Sequence, residues 1–117
     1  MQTKELLTII EDVLDERKGE NITVIDVIGK TSITDYMVVV TSTSERHASA
    51  LSDYVLEKVK EIGLKPLSVE GRKVSDWVLL DLGDVILHVM TAQARDFYQL
   101  EKLWSVERVD ESEEIYE

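Results

Sequence analysis

The 117-residue chain has no cysteine, one proline, five glycines and one phenylalanine. Without cysteine there is no disulfide, no thiolate metal site and no thiol nucleophile, and nothing hints at an oxidising compartment. With so few breakers, an apolar fraction of 44% and a charged fraction of 32% describe one packed domain rather than extended disorder. No apolar run approaches the ~20 residues that cross a bilayer. Met1 to Ile10 is amphipathic, with Lys4 and Glu5 inside it, and lacks the pattern of a secretory signal. A cytoplasmic protein without membrane contact is therefore expected. Positive charge is scarce as well: 13 Lys and Arg stand against 24 Asp and Glu, for a net charge of −11. A surface that tracks phosphates needs clustered cations, so little or no direct contact with nucleic acid is expected, and basic macromolecules are the natural partners. Residues 106–117 hold six acids against Arg108 and carry −5 of that charge. They read as an acidic, flexible tail following a domain of residues 1–105.

Within the domain, Leu6, Leu7, Ile10, Val13 and Leu14 repeat at the spacing of a one-sided helix, predicted over Thr3 to Arg17 with Gly19 as its stop. Ile22 to Ile28 reads as a strand and Gly29 to Asp35 as a turn. Tyr36 to Thr41 has no polar side chain between its ends, the pattern of a central strand covered on both faces. Ser42 with Glu45 matches a capping box opening a second helix, in which Ala48, Leu51, Val55, Val59 and Ile62 share one side before Gly63. A short strand near Lys65 to Glu70 is expected to return parallel to the central one. Trp77 to Asp81 and Val85 to Met90 then form a hairpin around Gly83-Asp84, since glycine first in a two-residue loop suits a type II′ turn. That turn pairs Leu82 with Val85, Leu80 with Leu87 and Val78 with Val89 on one aliphatic face, the seat for the first two helices. The other face must carry Trp77, Leu79, Asp81, Ile86, His88 and Met90. Large apolar groups mixed with a carboxylate and an imidazole resemble a protein interface. Alternatively, the last helix, Gln93 to Leu103, folds back over that face. In that helix Phe97, Leu100 and Trp104 share one side and are expected in the core, with Tyr98, Lys102 and Arg95 extending the exposed patch. The expected fold is a single α/β (α+β) domain in the order α-β-β-α-β-β-β-α, a mixed sheet of about five strands with helices mainly on one face.

Signals for catalysis are weak. Asp81 and Asp84 could hold Mg²⁺ as in a nucleotidyltransferase, but Asp84 sits in the turn, Asp81 points off the strand, and no Gly-Ser loop precedes them. Ser42-Thr43-Ser44 at a helix start, near Arg46 and His47, could take an anion, yet capping explains it without one. His47 and His88, the two histidines, lie in no nucleophile or metal motif; His88 is expected to hydrogen-bond Asp81 or Tyr98. No enzyme activity, metal or cofactor is expected. Two other readings stay open, a nucleotidyltransferase-type enzyme and a homodimer using the same apolar face.

Several stretches in register resemble one family: Asp35 to Thr41, Ser44-Glu45-Arg46-His47, Glu70-Gly71, Asp76 to Asp84 with His88-Val89-Met90, and Arg95 to Trp104. From about Thr3 to Trp104 the chain resembles the ribosomal silencing factors, also called Iojap-related proteins. The resemblance implies a nucleotidyltransferase-like sheet without transferase activity. It also implies binding to ribosomal protein fourteen of the large subunit, which blocks joining of the two subunits and represses translation when nutrients are scarce. By position, the implied partner surface is Trp77, Leu79, Asp81, His88, Met90, Arg95, Tyr98, Leu100 and Lys102, with Asp81 and Glu101 meeting basic groups.

Overall fold

Helix α1 (Thr3–Glu16) buries the predicted stripe of Leu6, Leu7, Ile10, Val13 and Leu14, and Glu5 accepts a hydrogen bond from the Gln2 backbone N–H at its start. The computed structural model describes residues 2–71 and 75–102. After α1 come β1 (Glu20–Asp26), β2 (Tyr36–Ser42), α2 (Glu45–Glu61), β3 (Ser68–Glu70), β4 (Trp77–Asp81), β5 (Val85–Thr91) and α3 (Ala92–Tyr98). The element order is the predicted one. The acidic tail and the 105/106 boundary lie outside the described residues.

The five strands form one mixed sheet in the order β1-β2-β5-β4-β3. β5 runs parallel to β2 and antiparallel to β4, and takes the middle place. It is buried along its length from Val85 to Met90, as a strand covered on both faces must be. The hairpin register is the expected one: Leu80 lies opposite Leu87 and Val78 opposite Val89, while the Leu82 N–H donates to the Val85 carbonyl at 2.9 Å. Gly83 turns the corner at φ +92°, a conformation that disfavours any residue with a Cβ. Alternate residues divide the sheet between two cores. Val38, Val40, Val78, Leu80, Val85, Leu87 and Val89 meet α1 and α2 on one face. Val39 and Met90 meet Ala94 of α3, together with Ile25 and Val27, on the other.

Several boundaries differ from expectation. β1 starts two residues earlier and ends at Asp26, whose carboxylate accepts from the Ile28 N–H and starts the turn there. Ser42 does not cap α2. It ends β2 and its hydroxyl donates to the Ser44 carbonyl at 2.9 Å, while Ser44 is the cap, accepting from the His47 N–H at 3.0 Å. β3 runs in the same direction as β2, but β4 and β5 lie between them and it pairs antiparallel with β4 at the sheet edge. The last helix stops at Tyr98 because Gln99 adopts φ +51°; residues 100–102 are helical again.

Leu87 is completely buried at the centre of the larger core. Leu87→Ala is expected to cost about 2–5 kcal/mol in urea unfolding, since the packed sheet and helices cannot close the cavity. Leu67→Ala, at an exposed position, should cost under about 0.5 kcal/mol; equal losses would contradict this placement of the core.

Candidate functional site

The second face of the sheet carries the mixed set that the hairpin register predicts. Trp77 lies opposite Met90, Leu79 opposite His88 and Asp81 opposite Ile86. Helix α3 covers one part of this face and leaves another open. Met90 is 0% exposed and Ile86 is buried, whereas Trp77, Leu79 and Asp81 are half-buried. Among the described residues the last helix does fold back over this face, chiefly over β2 and β5, with Tyr98 reaching Trp77 of β4.

Trp77 is held from two directions. Its indole Nε1–H donates to His88 Nδ1 at 3.0 Å, and its ring centroid lies 4.5 Å from that of Tyr98 at 49°. Tyr98 remains 48% exposed, so the pair presents aromatic surface outward. The backbone beneath is equally constrained: Ser75 Oγ bridges the Trp77 N–H and carbonyl, and Gly71, at φ +76°, lies against that carbonyl. A Cβ on Gly71 would stand 2.3 Å from the Trp77 oxygen, so only glycine fits. Glu70, Gly71, Trp77 and Leu79 line a notch of about 340 Å³.

His88 is 4% exposed and, against expectation, bonds neither Asp81 nor Tyr98. Accepting at Nδ1 from the indole places its proton on Nε2, which is buried with no partner among the described residues. Burial pushes the imidazole down from 6.5 to about 4, because the protein interior disfavours its charged form. Asp81 instead accepts from the Gly83 N–H at 3.0 Å within the turn. Asp84 accepts from the Thr3 hydroxyl at 3.1 Å. Both acids serve local structure, and among the described residues no group of three or more His, Asp or Glu could hold a metal ion. The Ser42-Thr43-Ser44 turn is likewise committed: the Thr43 N–H donates to His47 Nδ1 at 2.9 Å, and His47 Nε2 meets the Arg17 carbonyl.

Beyond β5, four of the sequence-assigned residues part company. Arg95 does not point outward. Its guanidinium donates to the Asn21 carbonyl, Thr41 Oγ1, Thr23 Oγ1 and Glu101, with a 2.6 Å ion pair to the last, and its side chain is 12% exposed. Glu101 is thereby an internal partner; the Arg95 hydrogen bonds hold its carboxyl below the usual value despite opposing desolvation. Leu100 is partly buried against the smaller core. Lys102 is exposed and borders a polar cleft with Glu20 and Asn21, away from Trp77. Only Tyr98 joins the strand residues. Phe97, assigned to the core, is 77% exposed and packs edge-on to Tyr98 at 5.0 Å; Trp104 lies outside the described residues. Helical periodicity missed this because the left-handed Gln99 breaks the phase that linked Phe97 to Leu100.

His88 makes stability depend on pH in a calculable direction. Its folded value is depressed, so the unfolded chain takes up the proton first as pH falls below 6.5, and stability is lost progressively until about pH 4. Between pH 7 and 4.5 the loss from this group is expected to be about 2–3 kcal/mol. Unfolding free energies of wild type and His88→Asn should converge over that window; parallel curves would refute the assignment.

The geometry can be set beside known proteins. A family model described as "Ribosomal silencing factor during starvation" matches residues 1–117. The chain is 43% identical over 100 residues to "Ribosomal silencing factor RsfS" of Haemophilus influenzae, covering 86% of this chain and 98% of that one. It is 30% identical over 108 residues to the mouse "Mitochondrial assembly of ribosomal large subunit protein 1", covering 90% of this chain and 47% of that one. A crystal structure of a Chromobacterium violaceum protein superposes with a TM-score of 0.87 at 37% identity, covering 90% of this chain and 88% of that one.

Proposed function

The chain belongs to the ribosomal silencing factor family, and from that premise we propose that it acts by occupying a surface, with no chemistry of its own. The open part of the second sheet face docks on ribosomal protein fourteen of the large subunit, in the cytoplasm, and the bulk of the bound domain keeps the small subunit from joining. Translation is thereby repressed when nutrients are scarce. The observation that carries this reading is Trp77, a large aromatic kept half-exposed between a hydrogen bond to His88 and a tilted ring contact with Tyr98. A free indole would have to be ordered on binding; this one is already fixed, which lowers the cost of association. Trp and Tyr are also the residues in which binding energy concentrates.

Charge agrees with such a partner. At −11 the protein attracts basic ribosomal proteins and is repelled by exposed rRNA. A relative named for mitochondrial assembly of the large ribosomal subunit points to the same particle. A transferase reading finds no support in Asp81 and Asp84, each tied into the hairpin or to α1. Arg95, Glu101 and Met90 contribute by fixing α3 and the sheet beneath the interface rather than by touching the partner.

Sedimentation with separated ribosomal subunits tests the proposal. The wild-type protein is expected to co-migrate with the large subunit and not the small one, and Trp77→Ala to weaken that association by ~2 kcal/mol or more, at least about thirtyfold. Unchanged binding by the variant would sink the docking face, and binding to neither subunit would sink the function.

A further inference from the structure

β4 extends beyond its outer neighbour by two residues. β3 ends at Glu70, which lies opposite Leu79, whereas β4 begins at Trp77. Backbone groups along a strand alternate between its two neighbours, and the Asp76 carbonyl, which accepts from the Thr91 N–H at 3.0 Å, faces β5. The Trp77 N–H and carbonyl therefore face the side on which β3 has already ended. One side chain takes both. Ser75 Oγ accepts from the Trp77 N–H at 3.1 Å and donates to the Trp77 carbonyl at 3.0 Å, as a strand neighbour would. Gly71 turns at φ +76° and passes against that carbonyl with no side chain to fill the notch between Glu70, Trp77 and Leu79. The peptide before Trp77 is held as well. Thr91, whose N–H meets the Asp76 carbonyl, also caps α3 by accepting from the Ala94 N–H at 3.2 Å. One junction thus sets the backbone of Trp77 and the start of the helix that brings Tyr98 to it.

We propose that Ser75 is a positioning residue for docking: its hydroxyl stands in for the missing strand, fixes the Trp77 peptide, and leaves open the notch that a longer β3 would close. This deepens the ribosome-docking reading and rests on it. The direction of an indole depends on its side-chain torsions and on the peptide that carries them. His88 restrains the torsions through the indole Nε1–H, and Ser75 restrains the peptide. Ser75 is half-buried and lies at the end of the sheet, where water can reach the groups it holds. With alanine in its place those groups turn to water and the sheet persists, but the anchor gains freedom that the partner must remove on binding.

Ser75→Ala should therefore unfold close to the wild-type temperature and lose affinity for purified large subunits by about tenfold. Ser75→Thr, which keeps the hydroxyl, should bind within about threefold of wild type. In a Trp77→Ala background Ser75→Ala should cause no further loss, because the peptide it holds no longer carries the anchor. Amide exchange read by NMR should be faster at the Trp77 backbone N–H in Ser75→Ala than in wild type. An equal loss with and without Trp77 would place the effect outside the anchor and overturn the proposal. Wild-type binding by Ser75→Ala, equal losses by the Ala and Thr variants, or an unchanged Trp77 exchange rate would also overturn it. Each of these outcomes leaves the docking reading intact, because Trp77→Ala tests that separately. A wild-type protein that binds no large subunit would overturn both.

Discussion

The pairing of β4 with β5 decides both faces of the molecule at once. With Gly83 at the corner and Leu80 opposite Leu87, the even-numbered residues of β4 and odd-numbered residues of β5 enter the larger core, and Trp77, Leu79, Ile86, His88 and Met90 go to the other side. A shift of one residue would exchange the two sets and place a tryptophan, a histidine and an aspartate against α1 and α2. Everything proposed for the interface therefore depends on a two-residue turn, and on the parallel docking of β5 beside β2 that buries the strand between two layers.

On the second face, stability and function pull on the same groups. His88 keeps an unpartnered N–H in the protein interior among the described residues, a group that costs roughly 1–3 kcal/mol when unsatisfied. What it provides is an acceptor at Nδ1 that aims the Trp77 indole. Arg95 plays the complementary part for α3. Two threonine hydroxyls, the Asn21 carbonyl and Glu101 absorb its donors, so the short helix is tied to β1 and β2 through polar contacts, while Ala94 and, just beyond the helix, Leu100 pack apolar surface against the smaller core. The helix is thus held over β2 and β5, and its last residue, Tyr98, reaches the half-buried Trp77 of β4.

The acids that suggested a metal site show how local structure accounts for residue types that also serve catalysis. Asp81 completes the hairpin turn, Asp84 receives the first turn of α1, and Ser44 with His47 closes the start of α2. Each is satisfied by a neighbour, and their side chains do not converge on a common point. Binding through shape and aromatic surface needs no such convergence, only side chains whose positions are set before the partner arrives.

How much of this was legible in the chain depends on the range of the interactions. The order of elements, the hairpin register and the two-faced division of β4 and β5 were readable because alternation and turn chemistry are properties of adjacent residues. The cap of α2 was misplaced by two positions because Ser42 and Ser44 are equivalent in composition, and only the length of β2 decides between them. Family resemblance marked Trp77 and Tyr98 but grouped them with Met90, Arg95 and Lys102, which the fold buries, turns inward or carries elsewhere. By itself the sequence determined which residues share a strand face, since a period of two needs no partner to be counted. Which of them reach solvent was decided by tertiary structure alone: Arg95 bonds to residues 54 to 74 positions away, and a left-handed Gln99 ends the helix where periodicity would have continued it.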